Sequence, residues 1–113
     1  MDDVDRLKEQ WAFNMPCLLM INGGYKYWQT NLKTVYSMLY KDLLINVRKS
    51  LAASLIEIAK LISLKDATAE DHTFFVDVIN HFLQDVDEVR HKLLPHLCAI
   101  VALFPDDKQQ TLL

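Results

Sequence analysis

An all-α chain, built as an α-solenoid of stacked helical hairpins, is the fold class that three observations predict. The first is a duplication: the stretch Asp42 to Leu61, DLLINVRKSLAASLIEIAKL, recurs 42 residues later as Val89 to Leu103, VRHKLLPHLCAIVAL. Val47 falls on Val89, Arg48 on Arg90, Leu51 on Leu93, Leu55 on Leu97, Ile58 on Ile100 and Ile62 on Phe104. The second is the spacing within each copy. Apolar residues at offsets 0, 4, 8, 11 and 15 draw a single stripe along a helix of 3.6 residues per turn, so each copy presents one face for burial. The third is composition: 113 residues with 51% hydrophobic side chains, two Gly and three Pro bury one modest core and lack the breakers of a many-stranded sheet.

A helical repeat near 40 residues is the signature of a HEAT or armadillo solenoid. The elements follow in order as one domain over residues 1–113. Val4, Leu7, Trp11, Met15 and Leu18 step by three and four, which predicts a first helix over about 3–22. Asn22-Gly23-Gly24 closes it, because these residues tolerate the left-handed backbone of a C-terminal cap. Pro16 stands inside this helix, and setting it on Pro95 puts Leu18 on Leu97 and Ile21 on Ile100. The first helix is thus a degenerate inner helix, an orphan unit over 1–24. Both prolines are expected to kink their helices without ending them.

The first hairpin is expected over 25–63. Its outer helix runs from about Tyr25 to Lys41 with Trp28, Leu32, Val35 and Leu39 buried and Tyr36 and Tyr40 flanking; its inner helix starts near Asn46, a fair N-cap. Tyr25, Tyr27 and Trp28 fit packing between layers better than a peptide-binding platform. Ser63 to Asp71, SLKDATAED, is the inter-repeat linker, with Asp71 or Thr73 available as the next cap. The second hairpin, 64–105, buries Phe75, Val78, Ile79 and Phe82 on its outer helix, and its inner helix runs from about Asp87 to Phe104, where Pro105 stops it. The tail, 106–113, begins no more than a further helix. The resulting order is five helices, about two and a half repeats, with apolar surface expected at the ends of the stack and self-association through it.

Charge is uneven along the chain. Four acids and two bases fall in residues 1–22, two acids and seven bases in 23–65, and nine acids and three bases in 66–113, for a net charge of −3. This contrast orients a charged protein partner or simply marks solvated helix faces. Nucleic acid is disfavoured by the acidic balance and the absence of a basic cluster with stacking aromatics. The acidic N-terminus lacks a secretory h-region, and no uncharged run reaches the roughly 18 residues of a membrane span. The expected location is the cytoplasm, with the nucleus open to it. Cys17 and Cys98 lie in apolar helical stretches and are expected to be buried, reduced thiols. His91 and His96 are five apart, off a common face, and His81 with Asp85 has no further ligand nearby, so no metal site is expected. No cofactor is implied. No nucleophile elbow, zinc-protease, P-loop or dinucleotide motif occurs, which predicts a non-enzyme.

The residues that carry information are Asp42, Val47 and Arg48 and their copies Asp85, Val89 and Arg90. An Asp in the turn and an Arg at the start of the next helix suit an inter-repeat staple made of charge-assisted hydrogen bonds; Arg48 and Arg90 as anion-binding residues are the alternative. Three strings, AFNMPCLLMINGG, VRKSLAASLIEIAKLI and VINHFLQDVDEVRHKLLPHL, resemble successive segments of the HEAT-repeat regulatory subunits of serine/threonine protein phosphatase 4, which are related to the phosphatase 2A scaffold. Ala12 to Pro16 and Phe82 to Arg90 are the most diagnostic parts. The resemblance implies a non-catalytic scaffold whose partner, a phosphatase catalytic subunit, docks along the ridge of intra-repeat turns. In this chain the ridge is Lys41 to Asn46 and Gln84 to Glu88, with Lys41, Asn46, Asp87 and Glu88 as interface candidates. A stand-alone helical interaction module that binds no phosphatase is the other reading.

Overall fold

The computed structural model describes residues 3–106, and among them there are helices and turns only. Five helices follow one another. α1 is Asp3–Ile21; α2 joins Tyr25–Tyr27, a π-helical turn Trp28–Leu32 and Lys33–Leu39; α3 is Ile45–Leu61; α4 is Ala69–Leu83; α5 joins Asp87–Leu93, a 3-10 turn Leu94–His96 and Leu97–Val101. The inner helices α1, α3 and α5 lie side by side in one layer, and α2 and α4 form the other. Overall extents of 44 × 32 × 19 Å agree, since the short dimension is that of two helix layers packed about 10 Å apart.

The duplicated stripes form the core. Val47, Leu51, Leu55 and Ile58 are fully buried, as are Val89, Leu93, Ile100 and Phe104, while Leu97 is half-buried. On the outer layer Trp28 makes tilted or edge-on contacts with Tyr36, Phe74 and Phe75, and Phe74 also meets Tyr36 and Tyr40. This aromatic seam joins α2 to α4. The group around Trp28 is therefore packing, and no exposed platform.

In α1 the buried residues are Ala12, Met15 and Leu19, whereas Val4 is 59%, Leu7 55% and Trp11 42% exposed. The helix carries two apolar stripes, and α3 covers the one that includes Met15. Several sequence expectations are corrected. In α2 Trp28, Leu32 and Leu39 are buried as expected, but Tyr36 and Tyr40 are buried with them and Val35 is only half-buried. The π turn is the cause: its wider winding turns the helix so that Trp28, Leu32, Tyr36 and Tyr40, each four apart, share a face. Asn46 is no cap; it stands exposed in the first turn of α3, whose N-cap is Leu44. Thr68, not Asp71 or Thr73, caps α4, its hydroxyl accepting from the Asp71 N–H at 3.2 Å. Cys17 and Cys98 are exposed, because each lies on the solvent side of its helix. α5 ends at Val101, three residues early, its last turn tightening into bonds from Leu103 to Ile100 and Phe104 to Val101.

The prolines sit within continuous helix. α1 passes through Pro16 unbroken, and at Pro95 the helix narrows to the three-residue 3-10 turn, which accommodates the missing N–H. Gly23, with φ +102°, ends α1, and the Gly24 N–H reaches back to the Leu19 carbonyl at 2.9 Å. Ser63 does the same service after α3 with φ +55°, a conformation that costs an L-residue about 1–2 kcal/mol. Ser63→Gly is expected to raise stability by up to about 1 kcal/mol, the relief of strain less the entropy of glycine; a thermal melt with an unchanged or lower midpoint contradicts it. Of the tail, only Asp106 lies within the described residues.

Candidate protein-interaction ridge

Two turns stand side by side where each outer helix passes into its inner helix, residues 40–44 and 84–86. In the first, Asp42 Oδ2 accepts from the Leu44 N–H at 3.0 Å and its Oδ1 pairs with Lys8 Nζ of α1 at 3.0 Å. In the second, Asp85 Oδ1 accepts from the Val86 N–H at 2.7 Å. Both aspartates thus shape their own turn, as short acidic side chains do.

Arg48 connects the turns. Its Nε and one terminal nitrogen donate to the two Asp85 oxygens at 2.8 and 3.2 Å, and the other terminal nitrogen donates to the Asp42 carbonyl at 2.7 Å. With side-chain exposures of 16% and 8%, this bidentate pair is shielded from water. Its copy behaves differently: Arg90 pairs with Asp87 in its own helix. Partial burial pushes the Asp42 carboxyl pKa up, but hydrogen bonds from the Leu44 N–H and Lys8, with the charges of Lys8 and Arg48, outweigh it and hold the group below the ordinary carboxylate range.

The interface candidates lie on the rim of this arrangement. Lys41 is exposed, its ammonium 5.3 Å from the Tyr40 ring centroid. Asn46 is exposed with its Nδ2 at 3.4 Å from Glu9 Oε1. Asp87 and Glu88 open α5, where carboxylates suit the helix dipole, and Glu88 Oε2 lies 3.4 Å from Lys49 Nζ. Two residues that the sequence reading passed over stand with them. Leu43, 96% exposed, and Val86, 50% exposed, each follow the turn aspartate. Their signal was available: both copies place an apolar residue directly after the Asp.

A second cluster, also missed, lies at the far end of the outer helices. Asp71 is fully buried and receives Lys33 Nζ at 2.7 Å, Gln29 Nε2 at 3.0 Å, Trp28 Nε1 at 3.4 Å and the Tyr25 hydroxyl. Beside it His72, also buried, bonds through Nε2 to the Leu64 carbonyl at 2.6 Å. Among the described residues no group of three His, Cys, Asp or Glu is placed to hold a metal ion, and no helix is long and apolar enough to cross a membrane.

Against this geometry stand the comparisons with known proteins. Over 99 residues the chain is 33% identical to the serine/threonine-protein phosphatase 4 regulatory subunit 1 of Homo sapiens, and the proteins of that name from Mus musculus and Rattus norvegicus give the same figures. The match takes in 88% of this chain and 10% of each relative, so the chain spans about a tenth of the length of the curated relatives it matches. No protein-family model matches, and no solved structure matches. The chain is distantly related to a protein named as a regulatory subunit.

Proposed function

We propose that this chain is a non-catalytic, protein-binding segment of HEAT type that serves a serine/threonine phosphatase 4 complex, with the ridge of turns as the surface that meets the catalytic subunit. The observation that carries the reading is the distant relationship to a phosphatase regulatory subunit over nearly the whole chain. The ridge supports it physically: Arg48, acting as an inter-repeat staple between Asp42 and Asp85, holds two turns in fixed register, and charged side chains border them. In this proposal Asp42 and Asp85 are structural, Arg90 is held by Asp87 within its own helix, and Lys41, Asn46, Asp87 and Glu88 are contacts.

The test is capture of the phosphatase catalytic subunit by the intact chain. Lys41→Glu combined with Asp87→Lys and Glu88→Lys is expected to weaken capture several-fold, with Asn46→Ala adding to it, because rim charges tune encounter and specificity. These residues are exposed, so the melting cost should be limited to the lost dipole and rim-pair contacts at the start of α5, about 1–2 kcal/mol, well short of unfolding. Equal capture by the reversed variant removes the ridge assignment. No capture at high concentration, where a longer regulatory subunit succeeds in the same assay, replaces the scaffold reading with that of a stand-alone interaction module.

A further inference from the structure

The joint that closes α1 carries a reactive pair. Asn22 is followed by Gly23, and the side-chain amide carbon of an asparagine lies within reach of the next residue's backbone nitrogen, which can attack it and close a five-membered ring. Two features of a fold usually prevent that attack: a helical backbone that fixes the attacking nitrogen, and a following side chain that crowds it. The other four asparagines, Asn14, Asn31, Asn46 and Asn80, have both, since they lie within helices and precede Met15, Leu32, Val47 and His81. At Asn22 neither holds. Both residues are exposed, the Gly23 N–H donates to no backbone carbonyl among the described residues, and the space that a Gly23 side chain would occupy is open. Gly23 also has the backbone freedom of glycine, at φ +102°. The Asn22 amide meanwhile holds the end of α1, its Nδ2 donating to the Leu18 carbonyl at 2.9 Å.

We propose that Asn22 is a self-modifying site: with water as the only co-reactant it converts to aspartate and isoaspartate, and the conversion uncaps α1. The Gly23 nitrogen gives up its proton and bonds to Asn22 Cγ; the Cγ–Nδ2 bond breaks and that nitrogen leaves as ammonia, forming a succinimide. Water then opens the ring. Entry at Cγ breaks the new bond and leaves aspartate, whereas entry at the backbone carbonyl carbon leaves isoaspartate, whose main chain runs through Cβ and Cγ and is one carbon longer. No electron donor or acceptor takes part. Either product removes the amide donor to the Leu18 carbonyl and puts a carboxylate at the negative end of the α1 dipole. The longer chain of isoaspartate also displaces Gly24, whose N–H reaches the Leu19 carbonyl at 2.9 Å and whose carbonyl accepts from the Trp28 N–H at 3.0 Å. Gly24 has little slack, because a Cβ there would stand 3.4 Å from the Leu61 carbonyl. The end of α1, the start of α2 and the end of α3 therefore meet at the residue that the conversion moves.

The experiment is incubation of the intact chain at neutral pH in oxygen-labelled water, with peptide mapping by mass spectrometry and a thermal melt at each time point. The label, with the mass change of an amide becoming an acid, is expected first at Asn22, and no other asparagine should come within about tenfold of its rate. Exposed joints open at little cost, so the folded chain should convert within about tenfold of the rate of a short peptide spanning Ile21 to Tyr25. An isoaspartyl methyltransferase, which methylates isoaspartate, should label the converted chain. Conversion should lower the melting midpoint by about 4 °C or more. Asn22→Gln, whose longer amide would have to close a six-membered ring, should hold its mass and its midpoint through the same incubation. Conversion first at another asparagine, or a folded rate below the range set by the peptide, overturns the proposal. Conversion that leaves the midpoint unmoved overturns it equally.

Discussion

Replacing Asp71 with alanine is expected to lower stability by about 3–5 kcal/mol, the usual consequence of removing one member of a buried ion pair. The carboxylate is wholly buried, and its loss leaves Lys33, Gln29, Trp28 and Tyr25 oriented toward an empty position. Against a total of roughly 5–15 kcal/mol for a domain, that is a large share. Lys33→Met should recover part of the deficit in the Asp71→Ala background, because it removes the orphaned charge; a cycle with no coupling would show that the pair contributes nothing. The same group sets an acid limit. Burial pushes the Asp71 pKa up, but the hydrogen bonds from Lys33, Tyr25 and Trp28 and the Lys33 charge prevail, so the carboxyl sits below its ordinary value. A depressed folded-state pKa means that the stability it confers is present above the unfolded value, about 3.9, and is lost as pH falls through the folded one. Asp42 acts in the same sense. Denaturant titrations should therefore show stability falling below about pH 4, less steeply in Asp71→Ala.

Leu55→Asp should abolish cooperative unfolding, with a loss beyond about 4 kcal/mol, because it places an unpaired charge at a fully buried position of α3. Leu97→Asp, at the matching place in α5, should cost clearly less, since Leu97 is half-buried and the carboxylate can turn toward water. Circular dichroism with urea titration distinguishes the two. Equal losses would mean that the two inner helices are equally central, which the burial pattern denies.

Where a pattern occurs twice, the sequence was legible. Val47 and Val89 announce the same stripe, and the repeated Asp and Arg announce Arg48 meeting Asp85, though not that Arg90 turns back to Asp87. Where a helix offers two apolar stripes, periodicity alone does not choose between them. In α1 the choice of Met15 over Trp11 is made by its neighbour α3, a tertiary fact. The π turn had no local signature, so Tyr36 was read one position off the buried face. Asp71 escaped because its partners lie more than 37 residues away in α2; read locally, it was only an acid near a helix start. The uneven charge found a use that neither sequence reading foresaw. Lys33, Arg48 and Lys49 of the basic middle pair with Asp71, Asp85 and Glu88 of the acidic end, so the contrast closes in part within the molecule.

Those pairs lie at two separate edges of the stack, and their placement has a mechanical meaning. Lys8 with Asp42, Arg48 with Asp85 and Lys49 with Glu88 stand at the turn edge; Asp71, which binds Lys33 from the middle of α2, stands near the other end of α4, about 20 Å from Asp85 along the helix at 1.5 Å per residue. The hairpins are thus tied at both edges, with nondirectional apolar packing between. The ties differ in their access to water. At the turn edge Lys8 and Glu88 are 38% and 66% exposed, while at the other Asp71 is 0% exposed. Dissolved salt screens the Lys8–Asp42 and Lys49–Glu88 pairs, and leaves the shielded Arg48–Asp85 pair and the buried Asp71 almost untouched. Added salt is therefore expected to loosen only the outermost ties of the turn edge, while Arg48 keeps the two turns at a spacing that the surrounding solution does not reach.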